Sequence, residues 1–484
     1  MTHGKNTLSA KRGEDILFFD MMEIEETYRV VRNVCEAKKH PSNPVMEQGD
    51  IDKWDSAQAS PWPARTVLYD EEEKIFKTWY GGTDASPEGK THLGYAISED
   101  GIIWEKPELG LVEFEGSKRN NMVDLNCYAA IIKDYDEPDP SRRYKWSGKS
   151  LRYSPDGLVW TKSERLKIDY VGPKVWDEVV FIKDEQDPDP ARRFKWIFQV
   201  YLPTNKPGPT VARNKILAYG PDERTLHFSE HNPILSPNDG FEQENHFLML
   251  IPYKGHYLLL YECGWYQPDG TGNFGAYMGD IRVAHSRDCE HFTRIDPDRA
   301  IIPVGGHGEW DERFQVISDK VIIKDDTIYL YYSGQGNDWT SWPPSNGNRV
   351  EGARLPVGAI RLARMGLATL RLDGFTCMRV SDGISFGNFT TREFEVCDPA
   401  PEMLTLNLGS TRAGRSWAQV EALDAETGEP IAGFTREDCP LIATDSLRAP
   451  VKWKGGSLAD LSARRFKLRF HLYGAVELYS FKFA

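Results

Sequence analysis

Acidic residues that precede predicted strands are the groups in this sequence best suited to catalysis. They comprise three Trp-Asp pairs and four further acids, namely Trp54-Asp55, Trp176-Asp177, Trp310-Asp311, Asp124, Glu178, Glu242 and Glu244. Two carboxyl groups can cleave a glycosidic bond, because one protonates the leaving oxygen while the other attacks the anomeric carbon or activates water. A neighbouring tryptophan adds an apolar wall that can hold a sugar ring and raise the pKa of a carboxyl group.

Two groups of candidate residues follow from this chemistry. The predicted catalytic residues are Asp55, Asp124, Asp177, Glu178 and Glu244. The predicted substrate-binding residues are Trp54, Trp176, Glu242, His246, His307, Asp311, Arg313, Asp338 and Trp339. The last two belong to a loop long enough to serve as a lid over a binding site. The segment Asn43-Pro44-Val45 is a further, weaker candidate for the pocket.

The same residues also have a structural interpretation. Acidic side chains cap turns, and several of these could pair instead with Arg65, Arg213 or Arg313. A lone histidine is more often a satisfied structural residue than a ligand. The sequence therefore predicts that at least two of the acids are catalytic, without deciding which of them are.

Other kinds of chemistry lack their motifs. The sequence has no glycine-rich nucleotide loop, no His-Glu-x-x-His motif and no convincing Ser-His-Asp arrangement. Its seven cysteines show no Cys-x-x-Cys spacing, which predicts free thiols in a reducing compartment and argues against structural zinc. The net charge of −14 argues against a nucleic acid partner, because phosphate binding depends on clustered Lys and Arg.

Targeting and membrane segments are not expected either. No apolar run is long enough to cross a bilayer as a helix. The first twenty residues contain no apolar stretch after a basic start, so we expect no secretory signal and a cytoplasmic location.

The elements that must position the acids form a repeat of strands. Runs rich in β-branched and aromatic residues recur in five modules of about forty residues each between Pro63 and about Val380. Their first strands are predicted at 65–69, 128–132, 178–182, 247–251 and 320–324. Modules of this size are typical of propeller blades, and the loops leading into the first strands would converge on one face and form a pocket there.

Turns of the type Ser-x-Asp-Gly-x-x-Trp close the first two modules. Ser98, Asp100, Gly101 and Trp104 recur at identical spacing as Ser154, Asp156, Gly157 and Trp160. A small polar cap, a glycine for positive φ and a tryptophan under the turn describe a β-turn staple. These turns resemble the Asp-boxes of sialidase propellers but are one residue shorter, so we assign them a structural role.

The predicted fold is all-β, a five-bladed β-propeller followed by a C-terminal β-sandwich. Residues 1–62 are expected to form an N-terminal segment whose strands at 16–19 and 28–34 close the ring, since a strand from one terminus often completes the last blade. Residues 63–385 form the propeller. Residues 386–484 alternate with period two between turns, which indicates an antiparallel sandwich that packs against the propeller or binds sugar.

The five-module pattern resembles five-bladed propeller glycosidases. The likeness lies in His40-Pro-Ser-Asn-Pro-Val45, Trp79-Tyr80, Gly94-Tyr-Ala-Ile-Ser-Glu-Asp-Gly-Ile-Ile-Trp104 and Tyr331-Tyr-Ser-Gly334. The group includes invertases, levanases, arabinanases and xylosidases, and a little-characterised bacterial branch with a C-terminal sandwich. It implies a nucleophile or base Asp on blade one, a transition-state-stabilising Asp on blade two and a Glu acid on blade three. By position these would be Asp55, Asp124 and the pair Asp177-Glu178.

The resulting hypothesis is a hydrolase acting on a small fructo- or arabinofuranoside-like glycoside. The invertase signatures Asn-Asp-Pro-Asn, Arg-Asp-Pro and Glu-Cys are not found in their expected places, so the sugar stays open. A glycoside phosphorylase and a non-catalytic carbohydrate-binding propeller are the alternatives. The expected partner is a carbohydrate, with neither nucleic acid nor membrane, and a homo-oligomer stays open. We expect no cofactor, although a metal at the propeller axis stays open.

Overall fold

The computed structural model describes residues 7–50, 52–84, 90–125, 130–175, 180–203, 211–237, 242–268, 274–336, 363–410, 414–461 and 464–484. The described chain is built almost entirely of β-strands, as the sequence predicts, with a few short 3₁₀ turns. It divides into two compact units, one formed by residues 37–369 and one by residues 1–36 together with 370–484. No helix among the described residues is long and apolar enough to span a bilayer.

The chain begins with four short strands of the smaller unit. They are β1 (Leu8–Ala10), β2 (Asp15–Leu17), β3 (Ile24–Tyr28) and β4 (Val30–Val34). Their mixed burial reflects single rows of apolar residues, such as Val30 and Val34, that face a core while charged neighbours face outward.

The larger unit follows and contains the predicted modules. Its described strands are β5 (Lys38–Lys39), β6 (Gln58–Asp70), β7 (Ile75–Thr83), β8 (Thr91–Ser98), β9 (Met122–Val123), β10 (Ala130–Lys133), β11 (Tyr144–Ser147), β12 (Ser150–Ser154), β13 (Glu164–Arg165), β14 (Val180–Lys183), β15 (Phe194–Pro203), β16 (Val211–Gly220), β17 (His227–Phe228), β18 (Glu244–Tyr253), β19 (His256–Pro268), β20 (Phe274–Ser286), β21 (Thr293–Arg294), β22 (Phe314–Ile317), β23 (Ile322–Lys324), β24 (Thr327–Gln335) and β25 (Ala363–Arg371).

Within each predicted module, consecutive strands pair with one another. Strands β10 to β13 form one four-stranded antiparallel sheet, and β14 to β17 form another. Strands β18 to β21, β22 to β25 and β6 to β9 belong to a larger sheet, in which short parallel bridges join β20 to β22 and β25 to β6. Five strands lie side by side in a cycle, β6 beside β10, then β14, β18, β22 and β6 again. The first strand predicted for module five at 320–324 is therefore wrong, because β22 (Phe314–Ile317) holds that place and Ile322–Lys324 forms the short strand β23 paired with β24.

The closing turns have the structural role that the sequence predicts. The Asp100 carboxylate accepts hydrogen bonds from the backbone N–H groups of Ile102 and Ile103, both at 2.8 Å, and the Ser98 hydroxyl accepts one from Gly101. Gly101 has a φ of +76°, a conformation that glycine adopts without strain. The turn at Ser154 and Asp156 repeats these contacts.

The strand that joins the two ends of the larger unit is not the predicted one. Strand β5 pairs antiparallel with β25, where Lys39 lies opposite Ala368, and Val45 N–H donates to the Met365 carbonyl at 2.8 Å. The predicted ring-closing strands at 16–19 and 28–34 lie instead in the smaller unit, because β2 pairs with β33 and β4 with β26. Period-two alternation identified strands here, but it carries no information on which sheet a strand joins.

The smaller unit is completed by the C-terminal strands. They are β26 (Thr376–Val380), β27 (Phe386–Thr391), β28 (Phe394–Val396), β29 (Leu404–Ser410), β30 (Trp417–Asp424), β31 (Ser446–Val451), β32 (Phe466–Tyr473) and β33 (Val476–Phe483). They form two six-stranded sheets with β1 to β4, and one hydrophobic core draws on both sheets. The unit boundaries at 36/37 and 369/370 therefore differ from the predicted 62/63 and 385/386. The segment at 374–378, predicted as the last strand of module five, belongs to β26 and pairs with β4.

The cysteines are free, as expected, at every described position. These are Cys35, Cys263, Cys289, Cys377, Cys397 and Cys439. Burial raises the pKa of the Cys289 thiol, so this side chain packs as a small apolar group. Cys127 lies outside the described residues.

Buried ion pairs hold neighbouring modules together at the C-terminal ends of their first strands. Asp70 is fully buried and accepts from Lys77 of its own module at 2.7 Å, and from Lys133 and the Tyr144 hydroxyl of the next module at 2.7 and 2.9 Å. The arrangement recurs at Asp134, which pairs with Lys145 and with Lys183 of module three. It recurs again at Asp184, with Lys195 and with Tyr257 of module four.

Replacing Asp70 by Asn is expected to destabilise the larger unit by about 3 kcal/mol, because the change leaves two buried ammonium groups without their shared counter-charge. Although burial alone raises the pKa of Asp70, the hydrogen bonds from Lys133, Lys77 and Tyr144 outweigh it and lower that pKa. The stabilisation is therefore present above the unfolded-state pKa of about 3.9 and is lost as the pH falls below that value. The difference in unfolding free energy between wild type and D70N should become smaller in acid, and urea unfolding over a pH series measures this difference. Glu71→Gln is the control, since its pair with Lys74 is exposed and contributes little to stability. Equal effects of the two variants would contradict the account.

Candidate functional site

The Trp-Asp pairs of modules one and five are built alike. Asp55 accepts from the Tyr80 hydroxyl at 2.8 Å and pairs with Lys106 at 2.6 Å. Asp311 accepts from the Tyr332 hydroxyl at 2.9 Å and pairs with Lys39 at 2.7 Å. Both carboxylates are buried. Each tryptophan packs against the tyrosine that donates to the neighbouring aspartate. The ring centroids lie 5.4 Å apart for Trp54 and Tyr80 and 5.7 Å apart for Trp310 and Tyr332.

Glycines on the adjacent strands leave the space that these pairs occupy. A Cβ atom at Gly82 would lie 2.1 Å from the Trp54 ring, and one at Gly334 would lie 2.4 Å from the Trp310 ring. A Cβ atom at Gly49 would lie 2.4 Å from Asp55 Oδ1, and one at Gly305 would lie 2.3 Å from Asp311 Oδ1. Among the described residues, the Asp55 carboxylate contacts Tyr80 and Lys106. Each aspartate thus has its own neighbours, and no described hydrogen bond or ion pair joins the two.

Two other predicted residues, Asp124 and His307, have exposed side chains. The Asp124 side chain is exposed, and the described contact at this residue is a hydrogen bond from Arg152 to its main-chain carbonyl. The His307 side chain is fully exposed and lies 3.3 Å from Glu312, which also pairs with Arg313 at 3.4 Å. Trp176, Asp177, Glu178, Asp338 and Trp339 lie outside the described residues.

Asn43 has a structural role. Its side chain accepts from the Leu367 N–H at 2.9 Å and donates to the Leu367 carbonyl at 2.9 Å, so it pairs with β25 as a strand residue would. Asn232 makes the same two bonds to Leu217 in module three. The Asn-Pro sequences are therefore staples that attach a connecting segment to a strand.

The predicted acids of module four are buried and paired with arginines. Glu244, at the start of β18, pairs with Arg213 Nη1 at 3.0 Å and accepts from the Arg213 backbone N–H at 3.0 Å. Glu242 binds Arg294 through both of its oxygens. Arg213 projects from β16 of module three, so the Glu244 pair bridges two modules close to the N-terminal end of β18.

A carboxyl group that the sequence predictions missed, Glu262 on β19, lies close to this pair. It is completely buried, and its Oε1 accepts a hydrogen bond from the Tyr277 hydroxyl at 2.6 Å. Its Oε2 is buried without a hydrogen-bond partner among the described residues. Among the described residues, the basic atom nearest to Oε2 is His246 Nδ1, at 3.8 Å. Gly279 provides the space, since a Cβ there would lie 2.3 Å from Oε1.

Burial determines the protonation of this group. Loss of hydration raises the pKa of Glu262 well above its ordinary value, and the charge of Glu244 also raises it. The hydrogen bond from Tyr277 and the charge of Arg213 lower this pKa, but by less than burial raises it. Burial likewise lowers the pKa of His246, as do the charges of Arg213, Lys215 and Arg65. Burial therefore favours the neutral form of each group, the carboxylic acid of Glu262 and the imidazole of His246. Since the Tyr277 hydroxyl donates to Oε1, Oε2 is the oxygen left to carry a proton.

Aromatic side chains form the apolar side of this site. Phe247, Tyr277 and Phe314 pack together, with Trp62 and Tyr266 against them. His246 stacks on Phe247 with ring centroids 3.8 Å apart. These residues come from strands β6, β18, β19, β20 and β22, so three modules contribute to one cluster, to which we refer as the Glu262 site. The buried rings of Phe247, Tyr277 and Phe314 keep water away from the carboxyl group.

One signal in the sequence could have located Glu262. It stands within the run His-Tyr-Leu-Leu-Leu-Tyr-Glu-Cys-Gly-Trp-Tyr at 256–266, which is otherwise apolar, aromatic or small except at its first residue. Charged residues are rarely placed in the middle of a buried strand without a partner or a function. Glu262 lies on a second strand of its module, whereas the predicted catalytic acids all lie at or before first strands.

No group of three or more His, Cys, Asp or Glu side chains within the described ranges is arranged to hold a metal ion. Glu244 and Glu242 instead form ion pairs with Arg213 and Arg294, and Glu262 accepts a hydrogen bond from Tyr277.

Comparison with known proteins finds resemblance at the level of structure. Neither a family model nor a curated protein matches the chain. Solved structures similar to it include β-propeller glycoside hydrolases of the GH130, GH32 and GH43 families, at low identity. With TM-scores below 0.5, these similarities leave the function to be argued from the site itself.

Three of these structures illustrate the range. One represents the GH130 family of mannoside phosphorylases, which contains glycoside hydrolases that target β-1,2-mannosidic linkages in Candida mannan; it is 15% identical and covers 70% of this chain and 94% of its own, with a TM-score of 0.43. A family 32 glycoside hydrolase from Bifidobacterium adolescentis is 10% identical over 86% of this chain and 78% of its own, with a TM-score of 0.38. A family 43 arabinoxylan arabinofuranohydrolase from Bacillus subtilis is 12% identical over 93% of this chain and 99% of its own, with a TM-score of 0.38.

The scaffold role of the Trp-Asp pairs predicts the effect of a single methyl group. Gly334→Ala should lower the free energy of unfolding by about 1–3 kcal/mol, because the new Cβ would lie 2.4 Å from the Trp310 ring and 2.5 Å from the Asp311 Cβ. Gly306→Ala is the matched control in the same module, since its nearest neighbour would be 3.7 Å away. Thermal unfolding compares the two variants, and a G334A protein as stable as G306A would show that the Trp-Asp packing is loose.

Proposed function

We propose that the chain is a glycoside hydrolase in which Glu262 is the general acid and Glu244 is the second carboxyl group. The observation that carries the proposal is the complete burial of Glu262 with one carboxyl oxygen, Oε2, that has no hydrogen-bond partner among the described residues. A carboxyl group kept neutral by its surroundings is what protonation of a glycosidic oxygen requires at neutral pH.

The architecture proposed for this enzyme is a five-bladed β-propeller followed by a β-sandwich. The cyclic contact of β6, β10, β14, β18 and β22 supports the propeller, and the pairing of β5 with β25 would close the ring between the two ends of the unit. The two sheets of the smaller unit, with their common core, support the sandwich.

The reaction would start from the two carboxyl groups as they stand. The Oε2 proton of Glu262 passes to the glycosidic oxygen as its bond to the anomeric carbon breaks, so the leaving sugar departs as an alcohol and Glu262 becomes a carboxylate. Tyr277 and His246 then stabilise that carboxylate, the first by its hydrogen bond to Oε1 and the second by the proximity of Nδ1 to Oε2. Glu244, oriented by Arg213, attacks the anomeric carbon or removes a proton from the attacking water.

The proposed substrate is a small oligosaccharide or glycoside, with a furanoside as the first choice. The aromatic residues of the Glu262 site support a carbohydrate, since apolar ring faces bind the C–H face of a sugar. The choice of a furanoside rests on the sequence resemblance alone.

A glycoside phosphorylase is the second candidate, and one observation favours it. Arg213, Lys215 and Arg65 lie close enough to His246 to lower its pKa. Phosphate, the second substrate of a phosphorylase, binds where cationic side chains converge. A carbohydrate-binding protein without turnover is the third candidate.

The experiment that tests the proposal compares two variants on a panel of aryl glycosides and oligosaccharides, with and without phosphate. Glu262→Gln should lower kcat by about 100- to 10,000-fold, because it removes the acid while keeping the shape of the side chain. Asp55→Asn should instead lower stability and leave kcat close to wild type, since Asp55 contacts only scaffold residues in the described chain. Turnover that needs phosphate would establish the phosphorylase, binding without turnover would establish the third candidate, and a larger loss in D55N than in E262Q would return catalysis to the blade-one aspartate.

The pH dependence of kcat offers a second prediction. Since the Tyr277 hydrogen bond lowers the pKa of Glu262, Tyr277→Phe should raise that pKa further. The acid is active while protonated, so the alkaline limb of the kcat profile should move to higher pH in Y277F. Tyr266→Phe is the control, because this residue packs against Tyr277 without a described hydrogen bond to Glu262. An unchanged or acid-shifted limb in Y277F would contradict the assignment of Glu262.

A further inference from the structure

A general acid that gives up its proton must recover one before the next turnover, and Glu262 has little access to solvent. Its side chain has no exposed surface, and its Oε2 is buried without a hydrogen-bond partner among the described residues. Recovery of the proton therefore requires a neighbouring group that exchanges protons with Oε2 on one side and with water on the other.

His246 lies in the place that such a group would occupy. Its Nδ1 is 3.8 Å from Glu262 Oε2, and 15% of its side chain is exposed, whereas Glu262 is fully enclosed. The ring stacks on Phe247 with centroids 3.8 Å apart, and Lys215 donates to the main-chain carbonyl of His246. These contacts hold the ring beside the acid. Catalytic hydrogen bonds are often long before substrate binds, and a carboxylate formed at Oε2 would attract an N–H group at Nδ1.

The other described polar groups around Glu262 are less suited to this exchange. The side chains of Tyr277 and Lys215 have almost no exposed surface. Glu244 is also buried and is paired with Arg213 at 3.0 Å. The guanidinium group of Arg213 keeps its protons at any pH near neutral. An imidazole ring, by contrast, can take up a proton at one nitrogen while it releases one from the other.

We propose that His246 relays a proton from solvent to Glu262 after each cleavage, while Glu244 is the base that activates water. A water molecule gives a proton to Nε2 as the Nδ1 proton passes to Oε2, so Glu262 becomes a carboxylic acid again. The hydroxide left in solvent takes up the proton that Glu244 removed from the attacking water, and the ring regains its first tautomer by exchange with water. The anomeric carbon is attacked once, so its configuration inverts. This role depends on the function proposed for Glu262.

Rapid-quench kinetics of the full chain test this role, with an oligosaccharide that wild type hydrolyses. An activated aryl glycoside is unsuitable, because its leaving group departs without a proton. His246→Phe keeps a ring against Phe247 but removes both nitrogens. Because the cycle starts with Glu262 protonated, the first turnover of H246F should stay within about threefold of wild type, whereas later turnovers should slow by roughly 10- to 100-fold.

His92→Phe is the matched control, since His92 also packs against aromatic rings, those of Trp54 and Phe114, but belongs to module one. Its first and later turnovers should both match wild type. His246→Ala provides a second variant with space for a free imidazole molecule, and added imidazole should restore its later turnovers. Thermal unfolding verifies that each variant is folded.

The outcomes for the acid and for the relay differ. Loss of the first turnover in E262Q, together with a normal first turnover and slow later ones in H246F, would establish the relay. Equal slowing of both phases in H246F, wild-type rates in both phases, or a product of retained configuration by NMR would overturn the relay and leave Glu262 as the acid. A wild-type first turnover in E262Q would overturn the proposed function, and the relay with it.

Discussion

A buried carboxylate needs a counter-charge, and this requirement organises the larger unit. Removing an ionised group from water costs several kcal/mol unless an opposite charge and hydrogen bonds replace its hydration. Asp55, Asp70, Asp134, Asp184 and Asp311 are all buried, and each lies within 3.1 Å of a lysine ammonium group. Glu262 is buried in the same unit but has a tyrosine hydroxyl and, at 3.8 Å, a histidine instead.

This contrast distinguishes the lysine-paired aspartates from the general acid proposed at Glu262. The paired aspartates link strands or modules, and their charge is compensated by lysine. In the proposed function Glu262 meets the same requirement by holding a proton, which burial favours and which is then available for transfer. The glycines around it, Gly264 and Gly279, leave room for a carboxyl side chain where a larger neighbour would exclude it.

The sequence predicted much of the fold and little of the site. The all-β class, most strand runs and the Ser98 and Ser154 turns were predicted correctly, because period-two alternation and turn residues act locally. The origin of the joining strand was missed, since Lys38–Lys39 is only two residues long and the choice between sheets depends on contacts more than 300 residues apart in sequence. The lysine partners of the Trp-Asp pairs could not be predicted, because residue type and spacing do not show whether a carboxylate has a partner, and Lys39 and Lys106 come from distant segments.

Glu262 escaped prediction for a related reason. The predicted catalytic acids lie at or before the first strand of a module, whereas Glu262 lies on the second strand. Its carboxyl group has room there because Gly279 on the third strand lacks a side chain. Its pKa depends on burial by Phe247, Tyr277 and Phe314, residues brought together by packing between modules. Neither cause can be deduced from one strand alone.

The central claim is that Glu262 carries a proton at neutral pH. Infrared spectroscopy measures this directly, because the carbonyl stretch of a protonated carboxyl group is separate from the bands of a carboxylate. The difference spectrum between wild type and E262Q at neutral pH should contain a protonated-carboxyl band that belongs to wild type and persists when the pH is raised moderately. A difference spectrum that contains only carboxylate bands for Glu262 would contradict the account.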